Sequence, residues 1–248
     1  MSLKFHFVVG VEGTGHHMIR AVLSNHINQS DSVFEGKWHK ILAEHWDCEL
    51  RLKNDKKLFG LSKNTNLKKA LRSAFEEYKQ QNVIHLFENS SFPYEQPRAT
   101  LRRPDIIEFS ALMEDIQDCV EVQYLILYRN PISATYSAIR RKFTDNIYLQ
   151  AKIAESNFIY IERQFSTIPK DNYRVIHFEE FLDQPEEHLR KLADWWRLDY
   201  KTVAPGLLKL RKPSGLSKVP EEDKEFLESF FNSQRIAQWE GFYNSNKL

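Results

Sequence analysis

The first 27 residues constrain the fold more than any other stretch of the chain. Lys4-Phe-His-Phe-Val-Val9 has the length and apolar character of a buried strand. It runs into Gly10-Val-Glu-Gly-Thr-Gly-His-His17, a glycine-punctuated turn, and then into Met18, Ile19, Val22, Leu23, His26 and Ile27 at helical spacing. Strand, glycine-rich loop and helix in that order begin an α/β chain. Gly10 to Gly15 also has the GxxxxG spacing of a phosphate loop, whose backbone N–H groups face an anion that the helix dipole favours.

The alternation continues. Asp31 to Glu35 reads as a second short strand, and Trp38 to Leu52 is helix-like but poorly patterned. Asn64 to Gln81 is a helix capped by Asn64 or Thr65, with Leu67, Leu71, Ala74, Phe75 and Tyr78 on one face. Asn82 to Phe87 is a strand, Pro104 to Cys119 a helix, and Val122 to Tyr128 a strand ending at Arg129, after which Pro131 suits the first turn of a helix. Ile147, Ala151, Ala154, Phe158, Ile161 and Phe165 mark a long amphipathic helix over Asp145 to Thr167. A strand over Tyr173 to Phe178 and helices over Glu186 to Leu198 and Glu221 to Phe231 follow. The pattern predicts an α/β, single-domain, P-loop-like three-layer sandwich: a central mostly parallel sheet with helices on both faces. A chain of 248 residues with 42% hydrophobic content suits one such core.

Lys and Arg number 35 against 34 Asp and Glu, so no global field recruits nucleic acid or an anionic membrane, and any anion site is local. Cys48 and Cys119 match no zinc or CxxC spacing, and no HExxH is present, so neither a disulfide framework nor a catalytic metal is expected. No apolar run is long enough for a membrane span. The first strand starts almost at Met1, ahead of which a signal peptide has no room, so a cytoplasmic location is expected; Met1-Ser2-Leu3 is also readable as an expression leader.

In ATP and GTP enzymes, Lys and then Ser or Thr follow the last loop glycine, the hydroxyl holding Mg²⁺. Here His16 and His17 stand there, which suits a ligand needing no metal. The plainer reading is a glycine turn whose histidines cap a helix. A second motif, Tyr124-Leu-Ile-Leu-Tyr-Arg-Asn-Pro-Ile-Ser-Ala-Thr-Tyr-Ser137, puts Arg129 at the carboxyl end of a strand, the edge at which doubly wound sheets bind ligands. Arg129 can contact a phosphate bidentately and Ser137 can add a hydroxyl donor. As a ligand-facing residue, Arg129 is expected to contribute to the site more than to the core.

On these residues the chain resembles the sulfotransferase family. Members carry a 5′-phosphosulfate loop after the first strand, and later Arg-[Asp/Asn]-Pro with a Ser eight residues beyond the Arg, matched here by Arg129, Asn130, Pro131 and Ser137. The resemblance runs in order from Phe5 to about Leu198. It implies that Gly13, Thr14, Gly15, His16 and His17 hold the 5′ end of 3′-phosphoadenosine 5′-phosphosulfate, with Arg129 and Ser137 on its 3′-phosphate. Val175 to Phe181 resembles a later strand that sets an aromatic, here Phe178, against adenine, with plain core packing as the alternative. The basic stretch with Lys209, Arg211, Lys212 and Lys218 resembles the segment that covers the 3′-phosphate, Lys212 being the chosen contact; a solvated loop is the alternative.

The family usually has Lys or Arg where this chain has Gly13, beside Glu12. His16 or His17 is the nearest replacement, one facing the ligand while the other caps or packs. For the base, the resemblance points first to Glu35, with Lys37 nearby, and then to Glu88, which opens Glu-Asn-Ser-Ser-Phe-Pro-Tyr94 after its strand; each glutamate also reads as a surface or capping carboxylate. His6, His85 and His177 read as packed or edge histidines, and Trp195 and Trp196 as core. The function implied is transfer of a sulfuryl group to a hydroxyl or amine. Small-molecule, glycan and lipid acceptors all stay open, as does the oligomeric state. The alternatives are a P-loop small-molecule kinase, which would need the missing Lys and Mg²⁺ ligand, and a nucleotide-binding protein that has lost catalysis.

Overall fold

The strand read first sits in the middle of the sheet because both its faces are apolar. In the computed structural model, which describes residues 3–43, 63–92, 105–142, 144–210 and 219–248, β1 (Leu3–Val11) sends Phe5, Phe7 and Val9 to one core and Val8 to another. Five strands, β1, β2 (Ser32–Phe34), β3 (His85–Phe92), β4 (Val120–Tyr128) and β5 (Tyr173–His177), lie in the order β2-β3-β1-β4-β5, and every pairing is parallel. Helices cover both faces, as parallel strands require. On the Val8 face are α1 (His16–Ile27) and, from later in the chain, residues Leu189, Leu192 and Trp196 of the helix Pro185–Trp196.

The opposite face carries α2 (Lys37–Ala43), α3 (Thr65–Gln80), α4 (Ile106–Glu114) and, after α5 (Pro131–Arg140), the long α6 (Ile147–Phe165). The chain then runs through β5 into α7 (Phe178–Asp183), α8 (Pro185–Trp196), α9 (Tyr200–Val203), a 3₁₀ segment (Ala204–Lys209), α10 (Glu221–Phe230) and α11 (Ser233–Asn244). The expected three-layer α/β sandwich is therefore present. Among the described residues no helix is long and apolar enough to cross a membrane.

Local capping explains most boundaries. Asn64 accepts from the Leu67 amide at 3.0 Å, and Asn130 accepts from Ile132 and Ser133 at 3.0 and 3.3 Å, with Pro131 at the first helical position. Three expectations shift. The strand expected over Asn82 to Phe87 begins only at His85 and runs on to Phe92, because Asn82 adopts φ +58° and the Val83 amide still donates to Tyr78. Glu88 thus lies within the strand. The helix expected to Cys119 ends at Glu114, where the Ile116 and Cys119 amides close turns onto Met113 and Ile116. Phe178 begins α7 instead of ending β5. Helix α11, which buries Trp239 and Tyr243, was not anticipated, nor was the parallel bridge by which Lys247 extends the outer edge of β5 at Val175. Trp38 to Leu52 is helical to Ala43, and the rest lies outside the described residues.

Candidate functional site

All five strands being parallel, the segments that follow β1, β2, β4 and β5 emerge at one edge of the sheet. The turn after β1 depends on two glycines. Gly13 and Gly15 have φ +92° and +117°, and an added Cβ would fall 2.3 Å from the Ala134 carbonyl oxygen and 2.6 Å from the Phe178 ring. Thr14 is turned inward: its amide and hydroxyl both donate to the Val11 carbonyl, at 3.1 and 2.7 Å. Its side chain therefore stabilises the turn.

Helix α1 starts at His16, and its first amides and dipole face the turn. Consecutive helical residues diverge by about 100°, and the two histidines do so here. His17 is exposed and lines a cleft of about 870 Å³, whereas His16 is buried beside Gly10 and borders a small gap shared with Phe34, Glu88 and Asn89.

The same 870 Å³ cleft is lined by Gly13, Gly15, Arg129, Ser137 and Phe178, so six residues chosen from two distant motifs and a later strand meet around one space. Lys209 and Leu210 also border it; Lys212, which follows them, lies outside the described residues. Phe178 is at once core and wall, packed on Gly15 while its ring carries the Arg129 guanidinium at 4.4 Å.

Arg129 is only 8% exposed. Its Nη1 donates to the Gly13 carbonyl at 3.0 Å, while Nε stands 3.6 Å from the Glu179 carboxylate and has no hydrogen-bond partner. Burial lowers its pKa, opposed by Glu179 and reinforced by Arg141. Besides lining the cleft, Arg129 fastens the glycine turn to β4.

Sequence reasoning missed Arg141, which lines the cleft and holds Glu12 at 3.2 Å. Its position four residues after Ser137, at the C-cap of α5, was the available signal. It also missed Glu179, whose place directly after Phe178 gave no hint of contact with Arg129.

Around the end of β2 and the middle of β3 lies a second group. Glu88 is fully buried and accepts from Trp38 Nε1 at 3.0 Å and from His39 Nδ1 at 3.1 Å. That bond raises the His39 pKa. Glu35, at φ +48°, is bonded through its amide to Phe87, and its carboxyl is raised by partial desolvation and then by Glu88. The Lys37 ammonium pairs with Glu77 on the surface of α3. Tryptophan and histidine at positions 38 and 39 were not singled out from the sequence.

His6 and His85 pack as expected, buried and joined Nε2 to Nδ1 at 2.9 Å, and His177 is buried at the end of β5. Trp196 is core and Trp195 half-buried. Among the described residues no group of His, Cys, Asp or Glu is placed to hold a metal ion.

The fold has counterparts among solved structures. A sulfotransferase from Alicyclobacillus acidocaldarius superposes with a TM-score of 0.56 at 13% identity, covering 100% of this chain and 98% of its own. The chain has the sulfotransferase fold. Similar matches are the Mycobacterium avium sulfotransferase STF9, with a TM-score of 0.52 at 13% identity over 97% of this chain and 77% of that one, and a mouse sulfotransferase, SULT7A1, complexed with PAP, at 0.51 and 11% over 98% and 89%. No family model matches the sequence, and no curated protein does. At such identities the likeness to these sulfotransferases is one of fold.

Proposed function

We propose that the protein is a sulfotransferase using 3′-phosphoadenosine 5′-phosphosulfate as donor and a hydroxyl or amine as acceptor. The observation that carries this reading is the meeting of Gly13, Gly15, His17, Arg129, Ser137 and Phe178 around one cleft at the carboxyl edge of the sheet. The residues fit such a nucleotide. The cleft is of nucleotide size, and Arg129 Nε is a buried donor lacking an acceptor. That the mouse sulfotransferase was solved with PAP supports the same class of nucleotide.

When bound, the donor supplies an activated sulfuryl group with a nucleotide phosphate as leaving group. The protein's part is placement and charge. The α1 amides and His17 would hold the 5′ end, His17 standing in for the loop lysine as a hydrogen-bond donor. Arg129 and Ser137 would hold the 3′-phosphate, with Phe178 against the base. Glu35 would take the acceptor's proton, since its raised pKa makes it a better base than an ordinary carboxylate. Glu88, enclosed by Trp38 and His39, is assigned to holding those side chains in place.

Transfer of radiolabelled sulfate from the donor to a panel of phenol, sugar, amine and lipid acceptors tests the reading. Turnover unaffected by a chelator is expected on some acceptor, since neither loop histidine offers the hydroxyl that holds Mg²⁺ in kinases. Binding without transfer to any acceptor would favour the non-catalytic alternative.

A further inference from the structure

Arg129 carries a carboxylate at the edge that the proposed function reserves for phosphate. Its guanidinium has five N–H donors. Nη1 is committed to Gly13, and Nε points at the Glu179 carboxylate from 3.6 Å, inside ion-pair range but outside hydrogen-bond range. Glu179 lies in the first turn of α7 and its side chain is 48% exposed, so solvent reaches it without disturbing the core.

Resting on the nucleotide reading, we infer that Glu179 is an internal competitor for Arg129, a specificity-determining carboxylate that must be neutralised by a proton for a 3′-phosphate to bind. A phosphate on Arg129 would bring its own negative charge up to that of the Glu179 carboxylate across a partly desolvated space if Glu179 stayed ionised and in place. Taking a proton from solvent removes that repulsion and converts the carboxylate into an O–H donor toward phosphate. Partial desolvation already raises the Glu179 pKa, with Arg129 opposing it. Hydrogen bonds from its own amide and from the Asn130 amide also oppose the rise, while the buried Tyr128 hydroxyl, which lacks a hydrogen-bond partner, feels both Glu179 and Glu240 of α11. Tyr128 stays neutral across the working range and Glu240 is a further negative charge, so both leave the sign unchanged: affinity for the 3′-phosphate improves as Glu179 is protonated.

The test is calorimetric titration of wild-type protein and Glu179→Gln with adenosine 3′,5′-bisphosphate and with adenosine 5′-phosphate, at pH 8 and pH 5. At pH 8 the variant should bind the bisphosphate about tenfold or more tightly than wild type, the size of one like-charge contact. At pH 5 the ratio should fall toward one, and affinity for the 5′-phosphate should be the same in both proteins. Equal bisphosphate affinities at both pH values overturn the inference and leave the nucleotide reading intact. Failure of both proteins to bind the bisphosphate at either pH overturns the two together. If the variant proves poorly folded, titration of wild type in two buffers of different ionisation enthalpy decides: bisphosphate binding with proton uptake beyond that accompanying the 5′-phosphate supports the inference, and none overturns it.

Discussion

Arg129 Nη1 and the Gly13 carbonyl oxygen lie 3.0 Å apart, joining the end of β4 to the turn after β1. One side chain thus shapes the turn and charges the cleft beside it.

Replacing Arg129 by Ala should therefore harm both stability and binding. A buried carbonyl left without its donor typically costs about 1–3 kcal/mol, and each kcal/mol lowers the melting temperature of a chain this size by about 2–4 °C. Arg129→Lys should keep part of the charge but lose the fork that reaches Gly13 and the stacking on Phe178. Thermal melts read alongside bisphosphate titrations check this: an unchanged melting temperature in Arg129→Ala would show that the Gly13 bond contributes nothing to stability.

Two glycine substitutions should act in opposite directions. Gly15→Ala places a Cβ 2.6 Å from Phe178 at φ +117°, so it should lower the melting temperature and abolish nucleotide binding. Gly241→Ala, in α11 with nothing within 4 Å of the new Cβ, should stabilise by about 0.5–1 kcal/mol through helix propensity. Denaturant midpoints of the two variants measured together give the comparison.

The contrast shows why parts of the fold were legible in the sequence. Val8, Ile19, Val22 and Leu23 reveal their faces through local periodicity, and Asn64 and Asn130 cap at the positions their residue type favours. Gly13 and Gly15 carry their conformational demand in their identity. Arg129 and Ser137 were found through a motif that fixes their place on a strand end and helix. What was not legible depends on approach between distant segments. Nothing local to Glu12 or Arg141 tells of their pairing across 129 positions. Nothing local to Lys37 tells of Glu77, 40 positions away, beside it. Thr14 and Arg129 were read by the chemistry of their side chains, whereas the fold spends those side chains partly on its own carbonyls.

Stability should fall in mild acid because of the histidines on the Val8 face. His85 is pushed down to about 4 from 6.5, first by burial, and buried His6 is held well below its ordinary value by burial and then by His85. Between the lowered values in the fold and 6.5 in the open chain, the unfolded state binds more protons. The stabilisation present above pH 6.5 is therefore lost as pH falls through 6.5 toward 4, by as much as about 1.4 kcal/mol per histidine per pH unit. Urea midpoints from pH 7.5 to 5 check this, and a His85→Asn variant should show a shallower slope. A flat profile in wild type would count against neutral, buried histidines.

The divergence of the two loop histidines gives a kinetic prediction. His17→Asn should lower turnover about a hundredfold, the common cost of one transition-state donor, with little change in melting temperature because the side chain is exposed. His16→Asn should instead lower the melting temperature, since that imidazole is buried beside Gly10. Parental turnover in His17→Asn would move the charge-stabilising role elsewhere in the cleft, Arg141 being next.

The most direct measurement of the central claim is the shift in melting temperature produced by adenosine 3′,5′-bisphosphate, compared with adenosine 5′-phosphate and with Mg-ATP at equal concentration. A ligand at one hundred times its dissociation constant adds about 2.7 kcal/mol, or roughly 5–10 °C for a chain of this length. The account predicts that shift for the bisphosphate, a smaller one for the other two, and loss of the difference in Arg129→Ala. Equal or greater stabilisation by Mg-ATP, or a bisphosphate shift that survives in Arg129→Ala, would contradict it.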